Sequence, residues 1–318
     1  MILPYLPRLV CLALASFFAV FLVTAAVVRT GAPFAIRRAR RLIPRVAARL
    51  LLTLRILPAA LGAVAALVFC VPSFLWFEPE PFEEPVGLVC LCMAAFTLLL
   101  CGHAAVRAFR ASIRSILLTR RCVRSGRRMS LGDRLPALVV EGCAPFLALT
   151  GIVRPRVVIS RGLVEALPEE ELAVVLRHES AHRASRDNLK RLCMLLSPLG
   201  CRELERAWKA LAEYAADDAA ASGDAARSLA LASALVRVAR FGGARSVTSL
   251  ATPFLGDAAD LSSRVDRLLN APPCLESPRR AGWFGAVSIL LVACCVAPVM
   301  FQAATFQFVQ SVLERLVR

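Results

Sequence analysis

The stretch RHESAHRASRDN, residues 177–188, decides how the rest of this 318-residue chain is read. On a helix, side chains four apart stand one above the other, so His178 and His182 can aim imidazole nitrogens at a single metal ion. Glu179, one step round the helix, reaches a water on that metal without ligating it. This arrangement suits a zinc site: the metal acidifies a water and polarises a carbonyl, and Glu179 carries the proton to a leaving amine. The competing reading is a charged helix face that spells the motif by accident. It is the weaker one, because the chain has only 3 histidines and two of them form the motif.

The flanking residues predict a helix. LPEEELAVVLRHESAHRAS (residues 167–185) puts Pro168 at the first helical position and Glu169, Glu170 and Glu171 in the first turn, where acids suit the positive end of the helix dipole. Leu172, Val175 and Leu176 recur at helical spacing, so one face is buried. A catalytic zinc needs a third protein ligand and an open position for water. Downstream candidates are Glu203, Glu205 and Glu213, on a second predicted helix over residues 202–221 that stops at Ser222 and Gly223. Glu213 is favoured because Asp217 stands one turn on, where it can accept the far N–H of a ligand histidine and fix its tautomer. Glu203 and Glu205 are explained by the helix dipole alone, and Asp218 by solvent. Asp187, five residues after His182, reads as a helix cap or a partner of nearby backbone, with a supporting role at the metal as the other use.

Outside this region the chain is greasy: 58% of its residues are hydrophobic and mean hydropathy is +0.64. A soluble domain has an apolar share of roughly half. Residues 9–28, 56–77, 86–106 and 281–301 are each long enough to cross a bilayer and contain no Asp, Glu, Lys or Arg. The first is longer than the apolar core of a signal peptide and is followed by a basic segment, so it reads as a retained anchor.

The net charge of +16 follows these spans. Arginines crowd the loop at residues 29–50 and the segment after residue 106, while EPEPFEEP (residues 78–85) is acidic. By the positive-inside rule the loop 29–50 and residues 107–280 face the cytoplasm, and both termini face out. Anionic lipid accounts for the arginines, and no direct nucleic-acid contact is expected. Of the 12 cysteines, Cys122, Cys143, Cys193, Cys201 and Cys274 lie in the predicted cytosolic part, where reduced thiols are the default. His103, near the cytosolic end of the third span, reads as an interfacial residue.

Three regions follow: a three-helix membrane region (1–106), a cytosolic metallopeptidase domain (107–280), and a fourth span with a short external tail (281–318). Within the second, a basic helical linker over about residues 107–128 precedes the short strand-like runs ALVVEG, FLALTG and RPRVVIS. Helices then follow to about residue 270, the last being LSSRVDRLL (residues 261–269). A small sheet followed by helices is an α+β arrangement. Either RPRVVIS or FLALTG could offer an edge against which an extended substrate adds main-chain hydrogen bonds.

HExxH, Asp187 beyond it, a glutamate with an aspartate four residues on, and the preceding GIVRPRVVIS and EEELAVVLRHE together resemble the BlaR/MecR-type membrane metallopeptidases, the antirepressor peptidases. The resemblance runs over essentially the whole chain. It implies an α-helical membrane protein of about four transmembrane helices with a cytosolic α+β gluzincin-like domain, in a bacterial inner membrane. It also implies one Zn2+ per chain on His178, His182 and Glu213, with Glu179 as base. The implied partners are the lipid bilayer and a cytosolic protein substrate, a winged-helix repressor, with self-cleavage as a further expectation. The family's β-lactam receptors carry a penicillin-binding domain after the fourth span. Here 17 residues (302–318) follow it, so antibiotic sensing is not expected of them. Two other readings stand beside this one: a housekeeping membrane protease similar to HtpX or the CAAX-prenyl proteases, and a non-catalytic membrane scaffold. The intact Glu179 argues against the scaffold.

Overall fold

The computed structural model describes residues 4–77, 86–131, 135–141, 146–240, 252–253, 258–270 and 311. The chain opens with α1 (Tyr5–Ala39) and α2 (Pro44–Val64); a π-helical stretch, Ala65–Cys70, carries α2 on into α3 (Val71–Phe77). Then comes α4 (Leu88–Ser125). Three helical segments, Tyr5–Ala39, Pro44–Trp76 and Leu88–Ser125, are long and apolar enough to cross a membrane. The expected fourth span and, apart from residue 311, the tail after it lie outside the described residues.

These helices overrun any bilayer. At 38 residues, α4 is about 57 Å long against a hydrocarbon core of about 30 Å. The basic linker is therefore the far half of the third span's own helix, and it ends at Ser125, short of the expected residue 128. Arg127 and Arg128 belong instead to a strand, β1 (Gly126–Leu131). Gly126 permits the switch, because a Cβ there would fall 2.6 Å from the Cys122 carbonyl and 2.7 Å from Leu138 Cγ.

Four further strands follow: β2 (Leu135–Val140), β3 (Leu147–Thr150), β4 (Arg156–Ser160) and β5 (Thr252–Pro253). The sheet order is β1-β2-β4-β3-β5, antiparallel throughout except for the parallel β2–β4 pair. RPRVVIS thus contributes an interior strand and has no edge to offer. FLALTG forms β3, whose outer side carries β5 at Ala148 and Leu149.

After β4 come α5 (Arg161–Ala166), α6 (Glu169–Ser185), α7 (Asp187–Leu196), α8 (Arg202–Ala221), α9 (Ala225–Arg240) and α10 (Ala258–Asn270). Pro168 caps α6 from just outside, one place before the position expected for it. One core joins the sheet to the helices through Leu149, Val157, Ile159, Val175, Leu176, Leu231 and Leu235. A second joins the polar half of the chain to the membrane helices: Ala39, Ala47 and Leu51 pack with Met194, Leu204, Trp208 and Leu211. Arg55 pins this junction. It is 3% exposed, and its guanidinium donates to Ser197 Oγ (2.8 Å), the Met194 carbonyl (3.0 Å) and Glu205 (2.8 Å). Glu205 is therefore held at the membrane junction by this ion pair and does not serve the metal.

Candidate metal centre

α6 buries the motif completely: His178, Glu179 and His182 are each 0% exposed. α8 crosses it and brings Glu213 to the same point. His178 Nε2 lies 3.1 Å from His182 Nε2, and Glu213 Oε2 lies 3.5 Å and 3.6 Å from the two nitrogens. A tetrahedral zinc with bonds of about 2.0–2.1 Å separates its ligand atoms by about 3.3 Å, so the triangle has the right size.

The far side of each ring makes the case stronger. His178 Nδ1 stands 2.9 Å from Asp217 Oδ1, and His182 Nδ1 stands 2.6 Å from Asp187 Oδ2. Asp187 accepts a hydrogen bond from His182 Nδ1–H, and the Asp217 carboxylate faces His178 Nδ1 and favours the proton there, which leaves both Nε2 atoms as lone-pair donors facing one another. Two such nitrogens at 3.1 Å repel unless a cation sits between them. Without metal that cation is a proton. Burial works against charging His182, but Glu213 and Asp187 outweigh it and carry its pKa to about 10. Burial also opposes ionisation of Glu213, yet the two histidines and Arg264 hold it well below the usual carboxylate range.

Glu179 differs. Burial pushes its carboxyl up, with only partial relief from the histidines, and neither of its oxygens has a hydrogen-bond partner among the described residues. A carboxyl that burial raises above its ordinary range and that is left free to bond a water is suited to a proton-transfer role.

Two other groups complete the surroundings. Arg264, on α10 and 1% exposed, holds Asp217 with two bonds (2.9 and 2.7 Å) and reaches Glu213 Oε2 at 3.2 Å. The sequence reading passed over it, although a signal existed: Leu261, Arg264, Val265 and Leu268 share one helical stripe, which places an arginine among core residues. Asn188, 1% exposed, donates from Nδ2 to the carbonyls of Leu149 (3.0 Å) and Gly151 (2.8 Å), fastening the start of α7 to the end of β3. No sequence signal marks that bond. Glu203 is exposed, and Asp218 pairs with Arg267 at 2.7 Å and is not merely solvated. Asp187, expected as a cap, is the first residue of α7; its side chain goes to His182 and to Lys190 Nζ (2.7 Å).

A buried HExxH helix, a glutamate from the next long helix and a free carboxylate between them define a zinc metallopeptidase, with zinc as cofactor and His178, His182 and Glu213 as the metal-binding triad. Residues 148–241, from β3 to the end of α9, match the family described as Peptidase family M48. No curated protein matches the chain.

Proposed function

We propose that the chain is a membrane-held zinc endopeptidase that hydrolyses a cytosolic protein, a transcriptional repressor, in an antirepressor role. The observation that carries the hydrolytic part is Glu179: a wholly buried carboxylate with both oxygens unbonded among the described residues, beside three converging ligand atoms. Zinc, when bound, supplies a Lewis acid that polarises the scissile carbonyl and acidifies a water. Glu179 would serve as the base that takes a proton from the attacking water and the acid that returns it to the leaving amine. Asp217 and Asp187 fix the tautomers of His178 and His182, and Arg264 holds Asp217 in place. No nucleophilic side chain is needed.

The cytosolic placement is supported by the arginines that flank the spans and the acidic run between the second and third. The repressor as substrate is supported by the GIVRPRVVIS strand joined to HExxH, which resembles the antirepressor peptidases. The second reading is a housekeeping membrane protease; the match to Peptidase family M48 supports the peptidase chemistry that both readings share.

The test is zinc content and casein cleavage by the purified protein beside Glu179→Gln. Equal zinc in both, with turnover reduced by about 100-fold or more in the variant, is the expected result. Cleavage that survives in Glu179→Gln sinks the mechanism. Cleavage of a winged-helix repressor encoded beside this chain, and not of misfolded membrane proteins, separates the two readings.

A further inference from the structure

Between the part of α4 that overruns the bilayer and the β3–β4 turn runs a groove of about 660 Å³. Its floor is apolar: Ile116 and Val123 come from α4, Ile152 and Val153 from the turn, and Leu192 from α7. These are not hidden residues, since Val153 is 86% exposed and Ile116 46%. The walls are basic, with Arg120 and Arg124 on one side and Arg154 and Arg156 on the other. None of the four is in an ion pair among the described residues. Arg156 Nη1 is shut away from solvent and has no hydrogen-bond partner there. Four guanidiniums without an ion pair among the described residues, set around an apolar floor, suit a ligand that carries anionic oxygens.

Carboxylates of a polypeptide and phosphates of a lipid both answer that description, and height above the bilayer separates them. About 20 helical residues cross the hydrocarbon, which puts Arg107 at its boundary, where its guanidinium donates to the Leu195 carbonyl at 3.1 Å. Ile116 stands about 13 Å and Arg124 about 26 Å further along the helix. Headgroups reach only about 5–8 Å beyond the hydrocarbon. The groove therefore opens above the lipid. It is also tied to the metal site: Asn188, next to Asp187, donates to the carbonyl of Gly151 at the edge of the groove.

We propose that this groove docks an acidic, amphipathic segment of the polypeptide substrate and so presents the neighbouring chain to the zinc site; the proposal rests on the proteolytic reading above. Apolar side chains of the segment lie on Ile116, Val123 and Val153, and its carboxylates meet the four arginines.

The test uses the full chain in nanodiscs, as Glu179→Gln so that nothing is cut. The probe is a labelled peptide of about 15 residues with leucines at helical spacing and glutamates between them. Fluorescence anisotropy gives its affinity. Arg120→Glu with Arg154→Glu is expected to weaken binding by about tenfold or more, while the same reversal at exposed Arg202 and Arg206 leaves it unchanged. Val153→Glu, on a residue with little packing to lose, is expected to weaken it too, and zinc content is expected to match in all variants. A lysine peptide of the same pattern is expected not to bind. Equal affinity in the groove variants, equal loss in the control pair, or binding that vanishes when anionic lipid is left out of the nanodisc would each overturn the docking proposal. Hydrolysis of a short neutral peptide by the Glu179 protein is read in parallel. Its absence, with docking intact, removes the peptidase reading alone; its presence, with docking unchanged in the groove variants, removes the docking proposal alone.

Discussion

His182 Nδ1 and Asp187 Oδ2 stand 2.6 Å apart although α6 ends between them. The connection is one residue, Arg186, held at φ 56° and ψ 43° in the left-handed region. That single reversal of backbone hand swings the start of α7 back over the metal helix, so Asp187 meets the ring from outside the triad. The local backbone thus sets the tautomer of a ligand.

Asp187→Asn keeps the shape but removes the charge that holds the Nδ1 proton. Zinc affinity is expected to fall by about 10- to 100-fold, measured by competition with a chromogenic chelator. Asp187→Ala is expected to fall at least as far. Affinity unchanged in Asp187→Asn would reduce the residue to the helix-end role that its place in the sequence suggests.

Zinc and protons compete for this site, and the sign is fixed by His182. In the zinc-free protein its pKa is raised to about 10: burial opposes the charge, but Glu213 and Asp187 more than compensate. A group raised in the folded state stabilises fully below its unfolded pKa of about 6.5, and that stabilisation is lost as pH rises toward the folded value. The chelated protein is therefore expected to lose thermal stability between about pH 6.5 and about pH 10. With zinc in the proton's place the loss is absent, so the gap in Tm between loaded and chelated protein widens across this window. A chelated Tm that stays flat there would show that the imidazolium pair is not formed.

Some of this was legible and some was not, for physical reasons. The helices of residues 161–270 follow from apolar periodicity and their stop signals; α8, for example, ends where Ser222 and Gly223 turn left-handed. His178, His182 and Glu213 follow from spacing and from the acid one turn beyond Glu213. The strand β1 did not, because GRRMSL has no β-branched residue and forms only by pairing with β2. Nor did the uses of Asp187 and Glu205, since each depends on a partner brought in by tertiary structure. Arg264 lies between these cases: its stripe betrayed burial, but only α8 supplies the carboxylates it meets.

Arg264→Met tests how far those carboxylates depend on one cation. The change leaves Asp217 and Glu213, 1% and 3% exposed, without their arginine in a dry setting. Breaking a buried ionic cluster from one side costs about 3–5 kcal/mol, so a clear drop in Tm is expected in the chelated protein. Adding Asp217→Asn is expected to recover part of it, because the second uncompensated charge is then gone. Additive losses in the double variant would mean that the two side chains are not coupled.

Arg55 tests the junction between the membrane helices and the peptidase helices. Its partners are unequal: the Met194 and Ser197 carbonyls and the Ser197 hydroxyl are buried with it, whereas the Glu205 side chain is 37% exposed and can return to water. Most of the cost of Arg55→Leu therefore comes from the carbonyls at the end of α7, which puts it at about 2 kcal/mol and not at the value for a wholly buried pair. Because those carbonyls border the α7–α8 connection, where Leu199 already sits at φ 44°, the loss is expected to be local. Amide hydrogen exchange should rise across residues 194–205 and stay unchanged in α4 and in the His178 helix. Zinc affinity should hold, since no ligand touches Arg55. Uniform exchange across the whole chain would contradict a local fastener and make Arg55 a residue on which the entire fold depends.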